Sequence, residues 1–313
     1  MNFVVLHTGA GRQYARVIAR SLKWIATKKK KSIRTFVIPV SDVSEFFEQH
    51  TELLPKETII HPRAAHPSEV GWMQTLFSLE EKGFRIINSP AALRLTSDKL
   101  AGALKLQATI AHPHTWKVTG GETMSTIPNG RYVLKPQTSM EQGARVTKLV
   151  KKDDGFHLLE NDVAAKVVSL DAILRDKIGE RNALLQEWVD YDSLYRVIVL
   201  NGTAFPYSFV DKPEYHPNEW KVSVCLNKTS MQFVSNPDPV LLRLAESAQT
   251  IVGAKISFVD IFRTRQGEYT MSEINTACNL SIHERLAKAA LGENGPWNIH
   301  YRISKTLWEL AFS

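Results

Sequence analysis

The chain has 313 residues, 43% hydrophobic and 23% charged, enough to bury a core and to hold two or three compact subdomains. No apolar run approaches the length of a membrane span and the N-terminal apolar stretch is too short for a secretory leader, so no membrane is expected and the expected location is the cytoplasm. Cys225 and Cys278 form no CxxC pair, which fits a reducing compartment and gives no thiolate metal signature, and the net charge of +7 favours anionic partners, nucleotides or nucleic acid.

Residues 3–6 predict a short buried strand. His7-Thr8-Gly9-Ala10-Gly11 follows, then a helix with apolar residues at Tyr14, Val17, Ile18, Leu22 and Ile25. A dinucleotide fingerprint is absent, because its third glycine would fall at Tyr14. The run Lys28-Lys29-Lys30-Lys31 sits between this helix and the next strand and predicts a solvated turn. Strands at 36–38, 58–60 and 84–87, with a helix at 68–82, complete a small parallel α/β domain over residues 1–90.

Asn88-Ser89-Pro90 predicts a turn, after which Ser97 is expected to cap a helix carrying Asp98 and Lys99. His112 and His114 lack a third ligand at useful spacing and predict a loop before a strand. Residues 131–136 predict a strand that brings Lys135 to its end. The polar segment 137–144, with Thr138, Ser139 and Gly143, separates it from a strand at 144–150. A strand, a polar loop and a strand make a flap whose backbone N–H groups can cradle phosphates, with Lys135 to neutralise them; it is not a Walker A loop. Further strands are predicted at 184–189, 194–199 and 204–210, the last two joined at Asn201-Gly202. Segment 211–232 is irregular and carries Lys212, Lys221 and Asn227. Helices are predicted at 239–252, 281–291 and 297–310.

Residues 258–275 predict a β-hairpin turning at Gln266-Gly267, which sets Asp260 beside Glu273 to within about one residue of register. Alternation puts Asn275 on the same face as Glu273. Two carboxylates and an amide suit a hard divalent ion such as Mg2+, and the carboxylates need a cation or a proton between them. On its own, the same pattern also fits a solvated hairpin face.

Four pieces in this order resemble the ATP-grasp superfamily: Asn88-Ser89-Pro90 with Asp98-Lys99; Val133-Leu134-Lys135-Pro136 with the polar loop; Gln186-Glu187-Trp188-Val189 with Tyr195-Arg196-Val197; and Val259-Asp260-Ile261 with Glu273-Ile274-Asn275. They span roughly residues 84 to 285, and the spacing is most similar to the small amino-acid and peptide ligases that include the ribosomal-protein glutamate ligase. The resemblance implies an α/β (α+β) architecture: the N-terminal parallel domain, a central subdomain over 91–185 with the flap, and a C-terminal subdomain over 186–313 with the metal site, the last two sandwiching ATP. It implies that Lys99 and Lys135 contact the ATP phosphates, that Thr138, Ser139 and Gly143 belong to the closing flap, and that Gln186, Glu187, Trp188 and Val189 form the adenine hinge. Asp192, rather than Asp190, is taken as the ribose contact. Arg196 and Lys221 would hold the transferring phosphate, and Asp260, Glu273 and Asn275 would hold two Mg2+ ions, which Mn2+ could replace.

The implied activity is ATP-dependent ligation of a carboxylate to an amine through an acyl phosphate, with small-molecule or peptide substrates. A small-molecule kinase on the same architecture is the alternative within enzymes. A basic nucleic-acid-binding or scaffold protein is the alternative outside them, and the converging acidic set argues against it. Oligomeric state is left open.

Overall fold

The computed structural model describes residues 1–63, 71–119, 127–137, 146–160, 163–174, 182–212, 231–292 and 298–313. It begins with β1 (Asn2–His7), α1 (Arg12–Lys28), β2 (Arg34–Pro39), α2 (Val43–Gln49), β3 (Thr58–Arg63), α3 (Trp72–Glu81) and β4 (Arg85–Ile86). The strands form one parallel sheet in the order β2–β1–β3–β4. Parallel neighbours need crossovers, so helices cover the sheet and its central strand is buried throughout. α1 presents Ala15, Ile18, Leu22 and Ile25 to Phe3 and Val5, and the lysine run that ends it is exposed.

Residues 88–98 depart from the sequence prediction. In place of a turn and a cap at Ser97 there are two helices, α4 (Pro90–Ser97) and α5 (Lys99–Gln107). Ser89 accepts the Ala92 N–H and caps α4, and Asp98 accepts the Ala101 N–H and caps α5. Proline is preorganised for the first helical position, so Ser89-Pro90 marks a helix start rather than a turn.

A second sheet, antiparallel throughout, contains β5 (Thr115–Thr119), β6 (Gly130–Pro136), β7 (Thr147–Lys152), β8 (Gly155–Glu160) and β9 (Val163–Val168), followed by α6 (Leu170–Ile173) and β10 (Asn182–Glu187). Its order is β5–β10–β6–β7–β8–β9. The third sheet contains β11 (Tyr191–Leu200), β12 (Thr203–Ala204), β13 (Ser208–Asp211) and β14 (Met231–Val234), then, after α7 (Pro239–Val252), β15 (Ile256–Thr264) and β16 (Tyr269–Asn275). Its order is β14–β13–β11–β15–β16, with β12 paired to β11. The Asn201-Gly202 turn has positive φ at both residues, 49° and 84°, as a tight hairpin with right-handed strand twist requires. The single strand predicted at 204–210 is divided between β12 and β13. α7 packs Leu241, Ala245, Ala248 and Val252 on one face of this sheet.

α8 (Ser281–Leu291) and α9 (Ile299–Phe312) carry the chain back. Ile303, Leu307 and Trp308 of α9 join Phe3 and Ile18 in one apolar cluster that also takes in Ile198 and Phe258 of the third sheet. The N-terminal and C-terminal parts therefore share a core. Among the described residues no helix is long and apolar enough to cross a membrane.

Asn88 fixes the junction between them. It is fully buried; its Oδ1 accepts the Lys255 and Ile256 N–H groups at 2.6 and 2.8 Å, and its Nδ2 donates to the Ile256 carbonyl at 2.8 Å. A buried backbone group left unpaired costs about 1–3 kcal/mol. Asn88→Ala is expected to destabilise the protein by about 3 kcal/mol in urea denaturation; an unchanged midpoint would show that the junction does not need the amide.

Candidate active site

The β15–β16 hairpin supplies an acidic face. Its register sets Asp260 opposite Glu273, as the sequence predicts, and a bulge follows between Asp260 and Ile261. Asn275 Nδ2 donates to Glu273 Oε1 at 3.0 Å, so its amide oxygen is the atom left for a cation. Arg196 on β11 is in register with Asp260 and grips both of its oxygens, Nε to Oδ1 at 2.7 Å and Nη2 to Oδ2 at 2.6 Å.

Burial pushes the Asp260 carboxyl up; the Arg196 guanidinium pulls it down and the adjacent Glu273 pushes it up again. The two-pronged guanidinium favours the ionised form, but burial and the hydrogen bond to Glu273 outweigh it and hold the Asp260 carboxyl above its usual range. Burial also works to raise Glu273, but Lys99, the Asn275 hydrogen bond, Lys135 and Arg196 together hold it below the usual carboxylate range.

The lysines come from the other wall. Lys135, at the end of β6, donates to Gln186 Oε1 at 2.8 Å, and Gln186 Nε2 donates to Thr115 Oγ1 at 3.1 Å. Gln186 is buried and thus positions the ammonium, a role its sequence context does not signal. Burial pushes Lys135 down to about 8, with Glu273 opposing and Lys99 adding to the effect. Lys99 opens α5, where its N–H donates to the Gln137 carbonyl at 3.0 Å, and Gln137 Nε2 donates to Asp98 Oδ2 at 2.8 Å. The start of the predicted flap is therefore tied to the start of α5. Thr138, Ser139 and Gly143 lie outside the described residues, as does Lys221.

A cleft separates the second and third sheets, lined by Lys99, Lys135, Gln186, Glu273, Asn275 and His112 among others. His112 is placed there by the return from α5 to β5, which no local motif marks. Burial pushes it down to about 4, with Lys135 adding to the effect, so it stands neutral at pH 7.

Beyond Gln186, the Glu187 N–H donates to the His114 carbonyl and the Trp188 N–H to the Arg131 carbonyl, both at 2.9 Å. Val189 follows directly. Asp192 is not brought to the cleft. It faces Arg263 of β15 at 3.3 Å, and Asp190 faces Arg265 at 3.0 Å, so both acids brace the turn end of the hairpin. Cross-strand charge pairing, invisible in the sequence, decides their place.

Among the described residues no three His, Cys, Asp or Glu side chains gather as a metal site. The set here is two carboxylates and an amide oxygen, hard donors that fit Mg2+.

The sequence matches no protein-family model and no curated protein sequence. Solved structures do match along the whole chain. D-alanine–D-alanine ligase from Bacillus anthracis, complexed with ATP, superposes with a TM-score of 0.64 at 14% identity, covering 100% of this chain and 97% of that one. The ATP-grasp ligase PsnB, complexed with precursor peptide PsnA2 and AMPPNP, gives 0.61 at 14%, covering 99% and 97%. D-cycloserine synthetase DcsG gives 0.64 at 13%, covering 99% of each. The chain has the ATP-grasp fold. At this identity the likeness is one of fold.

The buried ammonium has a measurable signature. Lys135 titrates lower in the folded chain than in the unfolded one, so between about pH 8 and pH 10 the unfolded chain binds more protons and stability rises with pH. Below that window both states are protonated and the unfavourable contribution is constant. Urea midpoints measured across this window are expected to rise in the wild type relative to Lys135→Met; parallel curves would show that the ammonium is not buried.

Proposed function

We propose that the chain is an ATP-dependent ligase that joins a carboxylate to an amine through an acyl phosphate. The observation that carries this reading is the cleft itself, with Lys99 and Lys135 on one wall, Glu273 and Asn275 on the other, and Asp260 paired with Glu273 across the hairpin. The fold is shared with ligases solved with ATP and with AMPPNP. Substrates of amino-acid or peptide size are the class those neighbours suggest.

In this reading Lys99 and Lys135 take the phosphate oxygens in charge-assisted hydrogen bonds. Gln186, Glu187, Trp188 and Val189 form the adenine hinge. The Glu187 and Trp188 N–H groups are already committed, so the Glu187 carbonyl and the Val189 N–H are the groups offered to the base. Asp260, Glu273 and Asn275 would hold Mg2+, which supplies neutralisation of phosphate charge when bound. Arg196, beside Asp260, meets the phosphoryl group as it moves. A substrate carboxylate oxygen attacks the γ-phosphorus and the bond to the bridging oxygen breaks, releasing ADP. The amine nitrogen then attacks the acyl carbon, phosphate leaves, and the nitrogen gives up a proton. Phosphoryl transfer asks the protein for positioning and charge more than for covalent chemistry, and these groups are suited to that.

Two outcomes test the reading. Glu273→Gln is expected to lower ADP release by at least about 100-fold, because a charge on the metal face contributes several kcal/mol at the transition state, while nucleotide affinity falls by less than about tenfold. Near-normal turnover in that variant would remove the metal assignment. With Mg-ATP, a carboxylate substrate and hydroxylamine in place of the amine, the wild type is expected to yield a hydroxamate. A phosphorylated product resistant to hydroxylamine would make the protein a kinase instead.

A further inference from the structure

The charge of the chain is unevenly placed. Nine of its 39 lysines and arginines lie in residues 1–41, and none of its 32 aspartates and glutamates does, so the net charge of +7 comes from this end alone. Most of it stands on α1. Ala15, Ile18, Leu22 and Ile25 turn inward to the core, while Arg12, Arg16, Arg20, Lys23, Trp24 and Lys28 are exposed. At the helical repeat the first five of these fall within an arc of about 120°, and successive arginines rise by about 6 Å. The stripe runs about 24 Å from Arg12 to Lys28, and the exposed lysine run extends it.

This stripe works against the helix that carries it. No acid stands in the first turn of α1, where a carboxylate would meet the positive end of the helix dipole, and Arg12 stands there instead. Arg12, Arg16 and Arg20 repeat at a spacing of four, where like charges repel. No carboxylate among the described residues pairs with any of them or with Lys23; the exposed Glu309 of the adjoining α9 is taken by Lys305 at 3.6 Å, and Glu52 by Arg34 at 3.4 Å. A merely solvated face mixes both signs of charge, and a helix that breaks several local rules at once marks a functional surface. Trp24 stands among these cations and is 53% exposed. Lys28 Nζ lies 5.5 Å over its ring, and the Tyr301 ring of α9 stands at 79° to it, 5.6 Å away, so the indole is steadied without being covered.

We propose that this face of α1 binds a single strand of nucleic acid, with its phosphates along the arginine row and a base on Trp24. The charges are complementary, and a guanidinium takes a phosphate in a two-pronged contact. A row of cations with an aromatic among them is the combination that holds a strand without reading its sequence. A bilayer suits the face less well, because an interfacial helix sinks its apolar side into lipid and that side of α1 is already buried against Phe3 and Val5. An acidic peptide would meet the cations but has no base to stack on Trp24. The face contains none of the cleft residues, so the inference stands independently of the ligase reading.

The test is fluorescence anisotropy of a labelled DNA strand of about 20 nucleotides and mixed sequence, titrated with the full chain in saturating Mg-ATP at constant ionic strength, so that the cations of the cleft are occupied. Wild-type affinity is expected to fall about 100-fold between about 50 and 200 mM KCl, as about five phosphate contacts require. The triple variant Arg16→Gln, Arg20→Gln, Lys23→Gln is expected to bind at least about 10-fold more weakly with a shallower salt slope. Trp24→Ala is expected to lose about 5- to 100-fold with the slope unchanged. The control Lys56→Gln, Lys82→Gln, Lys105→Gln removes the same charge from exposed positions elsewhere and is expected to bind within about twofold of wild type. All three variants change exposed side chains and are expected to keep the wild-type melting temperature. Unchanged affinity in the triple variant or in Trp24→Ala, an equal loss in the control, or displacement of the strand by Mg-ATP overturns the proposal. Polyglutamate, or vesicles of phosphatidylcholine and phosphatidylserine, bound as tightly as the strand would overturn it in favour of an acidic protein or a membrane.

Discussion

Two carboxylates from neighbouring strands can stand side by side away from water only if a proton lies between them or cations surround them. At about 4 Å in a protein-like medium, like charges repel by about 4 kcal/mol. Asp260 and Glu273 meet this with Arg196 on the same sheet and Lys99 and Lys135 from the facing wall. Everything about the cleft depends on register in the third sheet. Val259 and Ile261, on either side of Asp260, are buried in the cluster beneath α7. A slip of one residue would drive Asp260 into that core and turn an isoleucine or valine to the cleft, so the burial of its neighbours fixes the carboxylate.

The facing wall must be held at a matching distance, and the chain does this with backbone contacts at the base of the cleft. The Met271 N–H of β16 donates to the Ala111 carbonyl at 2.9 Å, one residue before His112. α5 is fixed at its start by Asp98, which caps the helix with one oxygen and accepts Gln137 with the other. Lys99 and Lys135 are therefore set by the same short network. Asn88 and the shared apolar cluster anchor the N-terminal sheet to β15, and through it Arg63 reaches the loop after Asn275.

What could be read in the sequence follows from what is local. Period-two patterning and the Gln266-Gly267 turn determine the hairpin register, so the pairing of Asp260 with Glu273 is legible from the residues alone. Parallel topology is legible from alternating strands and helices. Ser89-Pro90 is ambiguous because the same residues begin turns and helices, and only the burial of Ala92 and Leu93 decides between them. Asp192 sits at a bulge in β11, where it pairs with Arg263, the ladder partner of Ser193. Gln186 as a support for Lys135, His112 in the cleft wall and Arg63 at the mouth of α8 all arise from contacts distant in sequence, which periodicity does not encode.

The charge balance of the cleft constrains what can enter it. Three cations, Lys99, Lys135 and Arg196, face two carboxylates, and His112 is neutral. A bare divalent cation gains from Asp260 and Glu273 but is opposed by the three cations and competes with Arg196 for Asp260. A bare triphosphate gains from the cations but meets the carboxylates. In the proposed reading a metal–nucleotide pair would satisfy both walls at once, since the triphosphate carries more negative charge than one divalent ion neutralises and the surplus would fall on the lysines. A carboxylate has about four lone-pair sites, and Arg196 uses two of those on Asp260. A metal could therefore be accepted without expelling the guanidinium.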